Sequence, residues 1–285
     1  MFKPDMKYVN ANNEVFVFGD STGVYLDESE LFDYEWEAEI EQGRVASVLR
    51  GVETKKVKLL FLNDRDPAQI NRFLDVIDYD ARTAQAGTLH LDGYQRRCLF
   101  TKCEAESYFW KPGLMYRNMT AAFVDTDWTK RTMETFEVTS YPSAGEFLDH
   151  PYDYEYDFMP QLAGSETVHN DSNVPRDFLL RFYGPCLNPY VVIGGNVYRV
   201  DCDVPAGARI EIDSMDRSAV WLTLVDGTKT DMFDAAKIGV KGSGQYLYEL
   251  IPSGVSELSW PNTFRFDLEQ VERRSEPKRT VDSWT

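Results

Sequence analysis

LFDYEWEAEIEQG, residues 31–43, carries a strict alternation: Phe32, Tyr34, Trp36, Ala38 and Ile40 hold one parity, and Asp33, Glu35, Glu37, Glu39 and Glu41 the other. Successive side chains of a strand point to opposite faces. A period of two held this long therefore predicts a β-strand with one apolar, half-buried face. The acids on the other face repel one another, so that face must lie in water or opposite a basic partner.

Working outward, EVFVFG (14–19) and KKVKLLFLND (55–64) read as further strands. One helix interrupts them. Asp66-Pro67-Ala68-Gln69 offers an N-cap acid, Pro at the first helical position and Gln at N3. Ile70, Phe73, Leu74 and Ile77 then make an apolar stripe that should cover one end or face of a sheet. Strands resume with TLHLDGYQRRCLFTKCEAESYFW (88–110), where Asp92-Gly93 signals a hairpin, and continue through YRNMTAAFVDTDW and METFEVTSY. These elements predict an N-terminal β-sandwich or barrel-like domain, 1–143, with one inserted helix.

Residues 144–175 are punctuated by Gly145, Pro151, Pro160, Gly164 and Pro175 and read as a connector. Inside it LDHPYDYEYDF (148–158) places Tyr152, Tyr154, Tyr156 and Phe158 on one side of an extended segment, with acids on the other. It is either the joint between two domains, its rings packed on one of them, or an edge strand of either. From 176 to 285 short strands follow at intervals of about 8–12 residues, the spacing of an all-β sandwich. The fold class expected is mainly β.

Composition narrows the function. The 285 residues suffice for one large β domain or two medium ones, and 14% aromatics favour strands. A net charge of −17 argues against nucleic-acid binding and against an anionic membrane surface. The N-terminus MFKPDMKYVN lacks a signal-peptide core, and no apolar run reaches membrane-spanning length. Folding in the cytoplasm of the producing cell is expected. Cys98 and Cys103 are five apart, so on one regular strand they face opposite ways and cannot bridge. With Cys186 and Cys202 they are expected as buried free thiols.

Catalytic signatures are missing: there is no Gly-x-Ser-x-Gly, no phosphate-binding loop and no dinucleotide fingerprint. His90, His150 and His169 stand alone, outside any metal-ligand spacing. With 47 acids, carboxylate pairs at glycosidase separation arise by chance. No enzyme, cofactor or metal is expected. Trp36 and Trp221 lie in alternating strands, which favours packing over a sugar-stacking platform.

One run of motifs adds a resemblance: Asn188-Pro189-Tyr-Val-Val-Ile-Gly-Gly, Tyr198-Arg-Val, Gly207-Ala-Arg-Ile-Glu-Ile-Asp213, Leu250-Ile-Pro-Ser-Gly-Val and Arg274-Ser-Glu-Pro-Lys278. In this order they resemble the distal tail protein (Dit) family of long-tailed phages. The resemblance implies a belt domain that assembles into a six-fold ring of identical chains, and a peripheral domain, here 176–285, with a galectin-like sandwich fold. It implies a virion protein of the tail tip, assembled in the host cytoplasm. The implied partners are the tail tube protein, a tail-tip hub or tail-associated protein and a receptor-binding protein, with DNA passing through the ring unbound. Trp260 is followed by Pro261 and Asn262 rather than by the Glu and Arg of sugar-binding galectins, so the fold would not imply galactose binding.

The candidate ring or inter-domain interface is therefore Asp33, Glu35, Glu37 and Glu39 together with Tyr152, Tyr154, Tyr156 and Phe158. The alternative is an adhesin that stacks exposed aromatics of 176–285 on host cell-wall sugars.

Overall fold

In the computed structural model, residues 5–62, 68–107, 114–138 and 164–278 are described. Contacts divide the chain into two compact units, Met1–Lys130 with Arg273–Thr285, and Arg131–Glu272. The architecture is mainly β with one α-helix, as the alternating sequence predicts.

The first unit contains β1 (Met6–Val9), β2 (Val15–Val17), β3 (Val24–Ser29), β4 (Glu37–Glu41), β5 (Arg44–Leu49), β6 (Thr54–Leu62), α1 (Ala68–Thr83), β7 (Gly87–Leu91), β8 (Tyr94–Ser107), β9 (Leu114–Phe123) and the start of β10 (Trp128–Phe136). All its strand pairs are antiparallel. The hairpin foreseen at Asp92-Gly93 joins β7 to β8, with both turn residues at positive φ (49° and 81°) as a two-residue turn of this kind requires.

Helix α1 buries Ile70, Phe73, Val76 and Ile77, three of them from the foreseen stripe. Phe73 sits among the rings of Phe16, Phe18, Phe61 and Phe100 at centroid distances of 5.1–6.1 Å. Its capping residues Asp66 and Pro67 lie outside the described residues. The helix also buries Asp80, which accepts from the Tyr8 hydroxyl at 2.5 Å and from the Ala11 backbone N–H at 2.8 Å. A buried carboxylate persists only with such partners. Burial and this bond to Asp80 push the Tyr8 hydroxyl's pKa well above the ordinary tyrosine value.

The second unit holds the rest of β10 and β11 (Gly164–Asn170), β12 (Asp177–Tyr183), β13 (Cys186–Leu187), β14 (Tyr190–Ile193), β15 (Asn196–Arg199), β16 (Asp203–Val204), β17 (Arg209–Asp213), β18 (Val220–Thr223), β19 (Lys229–Asp231), β20 (Gly254–Trp260) and most of β21 (Phe266–Arg274). One sheet runs β19-β18-β17-β12-β21-β10 and a second β11-β20-β14-β15. Phe178, Phe182, Ile210, Ile212, Phe266 and Leu268 of the first meet Val168, Val191, Ile193, Tyr198, Leu258 and Trp260 of the second in one core.

Three expectations change. Residues 164–170, expected within the connector, pair with β20 over their whole length, so His169 lies on a strand, exposed. The apolar residue Val168 supplies the reason, since it is buried in the sandwich core. Cys103 is exposed rather than buried, because past a register shift between Phe100 and Lys102 neither face of β8 is covered. Cys186 is only partly buried, on the short outlying pair β13–β16.

Gly87 stands where Tyr8 and Asp80 meet, and a Cβ there would collide with the Tyr8 hydroxyl and the Asp80 carboxylate. Gly51 has nothing within 4 Å of such an atom. Gly87→Ala should lower stability by ~1–3 kcal/mol, while Gly51→Ala should stay within ~0.5 kcal/mol of the parent. Urea unfolding of the two variants side by side checks this.

Candidate functional site

Strands β4 and β5 form a ribbon by themselves, hydrogen-bonded to each other and, among the described residues, to no further strand. The two-residue turn Gln42-Gly43 has φ of 49° and 76°, the left-handed geometry that closes a tight hairpin. A register shift between Glu39 and Ile40 leaves Ala46 unpaired as a bulge, after which Ile40 lies opposite Val45 and Ala38 opposite Val48. Residues opposite each other share a face. One face thus carries Ala38, Ile40, Val45 and Val48, and the other Glu37, Glu39, Glu41, Arg44, Ser47 and Leu49.

The alternation in 31–43 is real, yet the half-burial read from it is not. The strand begins only at Glu37, and every residue of β4 is exposed. Ile40 is 68% exposed, Val45 63%, Val48 47% and Trp36 45%. Two strands have no interior: with no third strand or helix packed on it among the described residues, the apolar face meets water. Trp36 is accordingly not a core residue. Such a ribbon is marginal alone and presents an apolar patch of the kind that marks a docking surface.

Of the residues singled out from sequence, Glu37 and Glu39 lie on the acidic face of the ribbon, while Asp33 and Glu35 precede it in exposed irregular chain. The Ser47 hydroxyl donates to Glu39 at 2.9 Å. Tyr152, Tyr154, Tyr156 and Phe158 lie outside the described residues. The residues that sequence reasoning missed are on the partner strand, Val45 and Val48, whose short run RVASVL carries a weaker alternation because of the bulge.

Elsewhere charged side chains pair with one another. On the outer face of the six-stranded sheet, Arg131 and Arg181 both pair with Glu269 at 2.9 Å, and Arg181 and Arg209 pair with Glu211 at 3.1 and 3.2 Å. Asp267 accepts from Tyr183 at 2.6 Å and from Thr135 at 2.8 Å. Trp221 lies opposite Glu211 on this face, 37% exposed, so it too is a surface residue rather than packing. In the first unit a groove of about 470 Å³ is lined by Lys56, Lys58, Lys102, Glu28, Glu30 and Glu104. Its charges balance, and Lys102 pairs with Glu104 at 2.8 Å.

Among the described residues no group of three or more His, Cys, Asp or Glu is placed to hold a metal ion, and no helix is long and apolar enough to cross a membrane. Burial lowers the pKa of His90, helped by Lys7. Burial, with Cys202 nearby, pushes the Cys186 thiol up to about 11, so it is not a poised nucleophile.

Glu269 allows a pH test. Burial alone would raise its pKa, but hydrogen bonds from Arg131 and Arg181 outweigh burial and hold it below the ordinary value of 4.5. A carboxyl depressed in the folded state adds stability above its unfolded pKa and loses it as pH falls through the folded one. Resistance to thermal unfolding should therefore fall progressively below pH ~4.5, and Glu269→Gln should flatten that slope while lowering stability at neutral pH.

No protein-family model matches the chain, and no curated relative matches it. Solved structures do. The Dit protein of phage SPP1, described as a paradigm of the hub adsorption apparatus in phages infecting Gram-positive hosts, aligns with TM-score 0.54 at 10% identity, covering 95% of this chain and 99% of that one. The phage P2 baseplate in its activated conformation aligns in a calcium-bound structure (TM-score 0.55, 9% identity, 97% and 100% covered) and in a strontium-bound one (0.56, 10%, 96% and 99%). Over nearly its whole length, the chain has the fold of these phage Dit and baseplate proteins.

Proposed function

We propose that this chain is a structural, non-enzymatic component of a long-tailed phage tail tip, forming a ring that joins the tail tube to the tip hub and the receptor-binding apparatus. The β4–β5 ribbon carries the reading. It is an apolar surface exposed among the described residues, on a fold shared over nearly the whole length with phage hub and baseplate proteins.

A ring needs a heterologous contact that closes by rotation. A projecting arm that reaches the next copy meets that requirement. Burying Ile40, Val45, Val48 and Trp36 against a neighbour would contribute ~1.5–3 kcal/mol for each side chain fully covered. Six copies close the ring. The acidic row, Asp33 to Glu41, would then face either a basic partner or the channel, where a negative wall lets DNA pass without holding it. Tyr152, Tyr154, Tyr156 and Phe158 would join the ring domain to the outer domain.

Light scattering and negative-stain images of the purified protein should show a closed ring of six. Ile40→Asp with Val45→Lys should leave the melting curve unchanged, since both side chains are exposed, and convert rings to single chains. Rings that persist in this double variant exclude the ribbon as the contact, and a parent protein that stays monomeric at high concentration excludes the ring.

A second reading, sugar binding by the outer domain, is favoured by one observation: half-exposed Trp221 lies beside the Arg181–Glu211–Arg209 network. Aromatic faces stack on pyranose rings and such charges bind hydroxyls. Glycan arrays probed with the parent and with Trp221→Ala decide it. Binding that survives the substitution rules out stacking on this residue.

A further inference from the structure

We infer that Arg50 is the positioning residue that fixes the direction of the ribbon, and so decides whether the ring contact can be reached. The inference rests on the reading of β4–β5 as the assembly arm. Its two roots are the chain before Glu37 and the chain after Leu49, and Arg50 holds both. The guanidinium lies 5.8 Å from the ring centroid of Tyr34, on the first root. On the second, it pairs through Nη2 with Glu53 at 2.7 Å and through Nη1 with Asp127, in the loop before β10, at 3.4 Å.

Farther back, Leu31 is buried in the core with Phe32 packed against it, so the first root is held up to that point; beyond Leu49 the residues next to Arg50 supply no grip of their own. Gly51 meets no atom within 4 Å of where a side chain would begin, and Val52 is 67% exposed. Arg50 by contrast is a cation with a side chain only 3% exposed, at the base of an arm whose own residues are in water.

The acceptor it uses is itself anchored. The same Oε1 of Glu53 receives Arg96 at 3.0 Å, and its Oε2 receives Lys55 at 3.0 Å. Arg96 is buried, stacks on Phe123 at 4.0 Å and donates to the Asp125 carbonyl at 2.9 Å. The Phe123 backbone N–H donates to the Glu53 carbonyl at 2.9 Å. Swinging the arm therefore requires drawing a buried guanidinium away from two carboxylates and leaving them facing fewer cations, the expensive way to break a buried pair. Only a planar fork serves here. A lysine ammonium on the same stem cannot reach two acids while lying against a ring.

The test uses the full-length chain and two readouts, assembly and site-resolved hydrogen exchange. In Arg50→Met, amides of 37–49 should exchange faster while those of α1 and β7 keep their protection, and Arg50→Lys should not rescue the arm. If the freed arm spends about a tenth of its time correctly aimed, ring formation should need about tenfold more protein. Arg97→Ala, which removes an exposed pair with Asp125 in the same loop, should change neither readout. Should Arg50→Met fail to fold, Tyr34→Leu loosens the other root from the surface.

Faster exchange confined to the arm, with weaker assembly, supports the assignment. Exchange that rises throughout the first unit, or does not rise in the arm at all, overturns it. A parent protein that forms no ring sinks the assembly reading alone, and exchange in 37–49 still decides whether Arg50 holds the arm.

Discussion

Hydrogen bonding along both edges of β8 is the constraint on which the first unit depends. Residues Tyr94–Cys98 pair with β7, and Cys98–Ser107 pair with β9, so one strand belongs to two ladders. The two ladders run along opposite edges of β8 and overlap at Cys98, which is buried and has Gly87 on one side and Phe123 on the other. Through β7 the ladder reaches β1 and β2, and through β9 it reaches β6 and β3. The aromatic cluster around Phe73 draws on both branches, with Phe16 from one and Phe61 from the other. Helix α1 is thereby held against a sheet whose parts are distant in sequence.

What this arrangement leaves out is as informative as what it includes. Residues 37–49 lie between β3 and β6, which pair with each other directly. The ribbon is an excursion from the β3–β6 connection, and among the described residues its strands pair with each other and with no strand of that sheet. Backbone hydrogen bonding is satisfied within the hairpin, but apolar burial is not. Removing Ile40, Val45 and Val48 from water requires a surface that the described residues of the same unit do not supply. The charged cluster at its root belongs to the unit's interior, and Arg50 links the two environments. In the second unit the same balance is struck differently. There the apolar side chains close into a sandwich core, and the long charged residues lie across the outer face of the sheet, pairing with each other.

Much of this was legible in the sequence. The period-two runs marked most strands, the 3.6-residue stripe marked α1, and Asp92-Gly93 marked its hairpin, because those signals depend on neighbours a few residues away. The odd Cys98–Cys103 separation put the two thiols on opposite faces of a regular strand, but the register shift between Phe100 and Lys102 returns them to one parity, Cys98 opposite Phe123 and Cys103 opposite Met119. Glu37 and Glu39 were visible as a charged row. The apolar residues opposite, Val45 and Val48, were obscured by the bulge at Ala46, which breaks the very parity that sequence reading relies on. Arg50, Glu53, Arg96 and Asp127 carried no signal at all, since their meeting depends on which loops the ladder brings together.

By itself the sequence determined the class of structure: a mainly β chain with one helix, and an acidic, aromatic strand near its start. Alternation fixes which side chains share a face, and that is a local property of an extended backbone. Whether such a face is buried is not local. The tertiary structure decided that the most regular alternation in the chain would stand in water, because the strands on either side of it paired with each other and, among the described residues, no element packs on it.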